Sequence, residues 1–109
     1  MVDFNNVVEF CRDELGISDK VEIVVSLENL IEDNIHGWCT NSSDMGDFNK
    51  NEYDIELDKT LDDDEMLVTL CHEMVHVRQY SQGGNANERE AEELETVLAK
   101  KYKEVFLVV

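Results

Sequence analysis

Apolar positions recur at helical intervals in three stretches of the chain and alternate with polar ones in a fourth. Phe4, Val7, Val8, Cys11 and Leu15 mark a helix over residues 3–15, with Asp3 placed to cap its start and Gly16 to stop it. The β-branched run Val21–Leu27 predicts a strand. Asn29–Asn34 is a polar connection, and Ile35–Thr40 a second, shorter extended segment that ends in the turn-rich Asn41-Ser42-Ser43-Asp44. In Tyr53-Asp54-Ile55-Glu56-Leu57-Asp58 apolar and acidic residues alternate strictly, so a third strand should bury one face and wet the other. A second helix opens on Asp62, Asp63, Asp64 and Glu65, acids that suit a positive helix N-terminus, and is broken by Ser81-Gln82-Gly83-Gly84-Asn85. A third runs from Asn87 to about Glu104, with Ala91, Leu94, Val97, Leu98 and Tyr102 as its packing stripe. The tail Phe106–Val109 is apolar and is expected to join the core or add a strand.

This order predicts one α+β domain over residues 1–109, with an N-terminal helix, a three- to four-stranded sheet and two further helices. A chain of 109 residues, 42% of them hydrophobic, has enough apolar content for one modest core. The formal charge of −17, from 26 acids against 9 Lys and Arg, changes the picture more. Phosphate neutralisation is excluded, so nucleic acid is not an expected partner. The charge suits a solvated, aggregation-resistant surface, and a field of one sign also attracts basic peptides or proteins. Met1–Phe10 lacks the basic region and apolar run of a secretory leader, and no apolar segment is long enough to span a bilayer. Cys11, Cys39 and Cys71 are odd in number and widely spaced, which argues against a disulfide framework and suits a reducing cytoplasm.

The chemistry is concentrated in the second helix, in His72-Glu73-Met74-Val75-His76. Residues four apart on a helix lie one above the other, so His72 and His76 can offer two imidazole nitrogens to a single ion. Glu73 is displaced from them by about a third of a turn and lies beside that ion. Zn²⁺ suits this arrangement, because it takes neutral imidazole and keeps room for a water that a nearby carboxylate can deprotonate. Cys71 is adjacent in sequence but points elsewhere and is expected in the core.

With Asn87-Glu88-Arg89-Glu90-Ala91-Glu92 following after a short link, the chain resembles the gluzincin branch of zinc metallopeptidases. Over residues 53–95 it is similar to minigluzincins and to small SprT-like phage and bacterial peptidases. The resemblance implies a zincin-like fold, Glu88 as third metal ligand, and Glu92 as the carboxylate that braces a ligating histidine. It also implies hydrolysis of peptide bonds through a metal-bound water activated by Glu73. An extended substrate would pair against an edge strand at Ile35–Thr40, with contacts at Gly37 and Trp38, and at Tyr80. Trp38 is equally suited to the core.

Eleven residues separate His76 from Glu88. A second helix running to Gln82 and reversing sharply favours Glu92 as ligand, whereas one ending near Tyr80, with the next crossing at an angle, favours Glu88. Glu90, or no third protein ligand, is a further alternative. An oxyanion-stabilising group is expected among Tyr80, Tyr53, Tyr102, Arg78 and His36. Two rival functions are a catalytically silent, metal-stabilised binding module and an acidic mimic of nucleic acid. The presence of Glu73, needed for chemistry and not for holding metal, favours the peptidase.

Overall fold

A computed structural model describes residues 2–41 and 51–106. The element order is α1 (Phe4–Leu15), β1 (Glu22–Glu28), β2 (Gly37–Asn41), β3 (Glu52–Asp58), α2 (Asp63–Ser81) and α3 (Glu88–Phe106). This is the expected α+β layout, with three strands among the described residues. Of the apolar tail, Leu107–Val109 lies outside them.

Local sequence accounts for the helix ends. Asp3 Oδ1 accepts the Asn6 N–H at 3.2 Å, and Gly16 closes α1 at φ 69°, a left-handed conformation that costs glycine nothing. At the start of α2, Glu65 N–H donates to Asp62 Oδ1 at 2.8 Å and Asp62 N–H donates back to Glu65 Oε1 at 3.3 Å. This capping box satisfies two donors that the first helical turn leaves without partners. At its far end α2 stops at Ser81, and Gly83 turns the chain at φ 83°.

The sheet order is β1-β3-β2: β3 is central, parallel to β1 and antiparallel to β2. Tyr53, Ile55 and Leu57 of β3 are buried while Asp54 is exposed, as the alternation predicts. Asp58 departs from it. It is fully buried, and its carboxylate accepts the N–H groups of Leu30 and Ile31, both at 2.9 Å, and of Thr60 at 3.0 Å, together with the Thr60 hydroxyl. Asp58 therefore ties the β1–β2 connection, which contains a short 3₁₀ turn at Ile31–Asp33, to the end of the central strand. Its own N–H donates to His36 O at 2.7 Å, which holds the entry to β2.

The three helices pack together, with α2 in the middle against α1, α3, β2 and β3. Leu70, Cys71, Met74, Val75 and Val77 of α2 are fully buried. Each large apolar side chain removed from water in this way contributes about 1.5–3 kcal/mol before entropy is counted. Cys71 is a core residue, its Sγ 3.8 Å from Cys11 Sγ on α1. The packing stripe of α3 is Ala91, Leu98, Ala99 and Tyr102, with Leu94 half-buried. Val97, expected in that stripe, is instead exposed and Ala99 is buried in its place. The reason is the sharp turn of the stripe around a helix of 3.6 residues per turn: positions 91, 98 and 102 share a face with 95 and 99, which leaves 97 outside.

Candidate metal centre

His72 and His76 lie one turn apart on α2, with ring centroids 4.9 Å from each other. Glu88, the first residue of α3, reaches both: its Oε1 lies 2.7 Å from His76 Nε2 and its Oε2 lies 3.1 Å from His72 Nε2. One ligand atom from each of these three residues falls within 4.8 Å of the others. The turn over residues 82–87 makes this possible. Gly84 N–H donates to Gln79 O at 2.8 Å and Asn87 Oδ1 accepts the Glu90 N–H at 3.1 Å, so α3 starts immediately beside the last turns of α2.

The hydrogen bonds on the far side of each ring decide which nitrogen faces Glu88 as an acceptor. The Gln79 amide nitrogen donates to Asn87 O at 3.1 Å and to Glu90 Oε1 at 3.0 Å. Its amide oxygen accepts the Asn87 N–H at 3.0 Å and sits 2.9 Å from His76 Nδ1. With the amide oriented by two acceptors and a backbone donor, Nδ1 of His76 must carry the proton. His72 Nδ1 faces the Glu95 carboxylate at 3.2 Å and is a donor for the same reason. In the neutral imidazoles both Nε2 lone pairs then point at a carboxylate. Three donor groups converge in this way and could hold a metal ion, and N, N, O is a donor set that Zn²⁺ takes.

Glu73 is 5% exposed and makes no hydrogen bond or ion pair among the described residues. Burial pushes its carboxyl up to about 7; the charges of Glu88 and Glu95 act the same way, and His76 pulls against them. It is therefore a carboxyl that can both accept and give up a proton near neutrality. Burial, followed by the charges of Glu73 and Asp54, raises the nearby Cys39 thiol to about 12, which keeps it neutral.

Strand β2 runs beside α2 and pairs with β3 on one side only, so it is an edge strand among the described residues. On the His72 side, a cavity of about 230 Å³ is lined by His36, Gly37, Thr69, His72, Glu73, Glu92 and Glu95. Further along the strand, a cavity of about 290 Å³ is lined by Cys39, Thr40, Asn41 and Tyr80. A Cβ on Gly37 would lie 2.7 Å from Thr69 Cγ2 and 3.1 Å from Glu56 O, so only glycine lets the strand come this close to α2.

The remaining sequence-predicted residues divide as follows. Glu90 pairs with Arg78 at 2.5 Å and with Gln79, so it holds the helix junction and is not part of the His-His-Glu group. Glu92, expected to brace a histidine, lines the cavity without touching either ring; the carboxylate on His72 Nδ1 belongs to Glu95. Ala91 occupies the point of closest approach to α2, which turns Glu92 about 100° away, whereas Glu95 returns to the face of Glu88 after two turns. Trp38 is 47% exposed and lines neither cavity: it alternates with Gly37 and Cys39 and so lies on the sheet face opposite α2. It is thus neither in the core nor against the cleft. Tyr80 has its ring 6.2 Å from that of His76. Of the oxyanion candidates, Tyr53 is in the core, Tyr102 stacks on Phe106 and Arg78 is held by Glu90, which leaves His36 and Tyr80 beside the cleft. Sequence reading missed Glu95 and Gln79. The i+7 spacing from Glu88 and the i+3 spacing from His76 were the available signals.

Compared with protein-family models, with curated proteins and with solved structures, the chain matches none.

Proposed function

We propose that the chain is a zinc-dependent metallopeptidase with His72, His76 and Glu88 as ligands and Glu73 as the general base. The observation that carries this reading is the facing of two imidazole Nε2 atoms and one carboxylate, with both Nδ1 atoms committed to acceptors behind them. A zinc ion bound there supplies a Lewis acid and brings the pKa of a water toward neutrality. Glu73 takes a proton from the attacking water and passes it to the departing amine. Its burial, the absence of a hydrogen-bond partner for it among the described residues, and its raised pKa suit that exchange. An extended peptide adds to the free side of β2, and the two cavities along that strand receive alternate side chains. Glu95 and Gln79 hold the imidazoles in the tautomer that leaves Nε2 for the metal. The gluzincin resemblance implies the same three ligands and the same base, but Glu92 in the place that Glu95 takes on His72.

The test combines zinc titration calorimetry with hydrolysis of a peptide library, with and without a chelator. Wild type should bind about one zinc per chain and cleave peptides only when loaded. Glu73→Gln should bind zinc and cleave nothing. A Glu73→Gln protein as active as wild type refutes the mechanism, and a loaded wild type that cleaves no peptide refutes the peptidase reading in favour of a metal-stabilised binding module.

A further inference from the structure

We propose that Cys11 and Cys71 form a redox-responsive pair, which a peroxide closes to a disulfide that clamps α1 onto α2. The Cys11 thiol points at Cys71 Sγ from 3.8 Å, and both residues are fully buried. Cysteine serves freely as a small core residue, so burial by itself marks no site. Direct contact between the sulfurs of two helices, from positions 60 residues apart in the chain, goes beyond packing. It sets both sulfurs of a possible cross-link side by side before any oxidant arrives. The third cysteine, Cys39, is elsewhere, in the cavity that Tyr80 also lines. The pair takes no part in the metal centre, although Cys71 immediately precedes His72.

Closure is a two-electron oxidation. One thiol attacks the O–O bond of hydrogen peroxide, giving a sulfenic acid and one water; the second sulfur then displaces the sulfenic hydroxyl, which leaves as another water. Two thiols and one peroxide give one disulfide and two waters. The sulfurs must move from 3.8 Å to about 2.05 Å, a change that side-chain rotation and a small shift of α1 supply. The contact with Cys71, and burial after it, hold the Cys11 thiol protonated, so the closed fold resists oxidation. Reaction therefore follows the opening of α1, a terminal helix whose far end is fastened by Arg12 to Ser18 O at 2.6 Å and to Val21 O at 2.9 Å. The ring that the disulfide closes contains all three strands of the sheet, so the bond restricts most of the unfolded chain.

The full chain is treated with a small excess of hydrogen peroxide and followed by thiol count in denaturant, peptide mapping and thermal melting. Free thiols should fall from three to one, the map should join Cys11 to Cys71, and Tm should rise by roughly 10 °C. Dithiothreitol should reverse all three changes. Cys11→Ala and Cys71→Ala should each keep their remaining thiols under the same treatment, with a Tm that peroxide does not raise. The wild-type map decides the pairing even if either variant fails to fold. Three thiols retained after methionine sulfoxide has begun to form, or a bond that includes Cys39 or a second chain, overturns the proposal. So does a Cys11–Cys71 bond that leaves Tm where it was. The peptidase reading fails separately, since a chain that closes this bond and cleaves no peptide keeps the clamp and loses the activity.

Discussion

Gln79 Oε1 lies 2.9 Å from His76 Nδ1 while the amide nitrogen of the same side chain spans to Asn87 O and Glu90. One residue thus sets the tautomer of a proposed ligand and joins the end of α2 to the start of α3. Its position explains how a short turn can bring Glu88 against both histidines. Replacing Gln79 by alanine removes both functions at once. Zinc affinity is expected to fall about 10–100-fold, measured by competition with a chromogenic chelator. Gln79→Glu should recover part of the loss, because a carboxylate also accepts from Nδ1, while Asn87 O and Glu90 lose their donor. Equal losses for both variants would mean that the junction, not the ring, is what Gln79 holds.

The pH dependence of the metal-free protein should carry the signature of Glu73. Its folded-state carboxyl is raised from the usual 4.5 to about 7, so the native state binds the proton more tightly than the unfolded chain. Stability is then fullest below about pH 4.5 and declines as pH rises through about 7. The loss attributable to this group is about 3 kcal/mol. Urea unfolding of metal-free Glu73→Gln at several pH values should lack this slope. A slope equal to that of wild type would contradict it.

Asp58 acts in the opposite sense. Its carboxyl is held at about 2 by the Thr60 hydroxyl and by the N–H groups of Leu30, Thr60 and Ile31, with burial opposing them. A depressed pKa gives stability that is present above the ordinary 3.8 and lost as pH falls through about 2. Asp58→Asn keeps one acceptor oxygen and sets an NH2 against the donors on the other side, and should lower Tm at pH 7 by roughly 5–10 °C. Its stability should also change less than that of wild type between pH 4 and pH 2, as read by circular dichroism.

Gly37 and Thr69 form a close pair across the strand–helix contact, where an added Cβ would come within 2.7 Å of Thr69 Cγ2. Gly37→Ala should destabilise by about 1–3 kcal/mol, the usual cost of overpacking. Thr69→Ser in the same chain removes the colliding methyl and should restore part of it. A double-mutant cycle measured by chemical denaturation should give a coupling of at least ~0.5 kcal/mol. Additive effects would show that Glu56 O, 3.1 Å from the added Cβ, is the real obstacle.

The sequence by itself determined what depends on residues close along the chain. Asp3 and Gly16 bound α1, Asp62 and Glu65 start α2, and the spacing of His72, Glu73 and His76 places two imidazoles on one face with the carboxylate beside them. These follow from 3.6 residues per turn and from local caps, and no other part of the molecule is needed to set them. Only the tertiary structure decided how α3 lies on α2, because that rests on burying Ala91, Leu98, Ala99 and Tyr102 against a core built from all six elements. The rotation of α3 is what brings Glu88 to both rings, turns Glu92 into the cavity and presents Glu95 to His72. The burial of Asp58 and the exposure of Trp38 were hidden for a similar reason. Strand alternation says which residues share a face, while the cover over each face and the donors at each end come from elements distant in sequence.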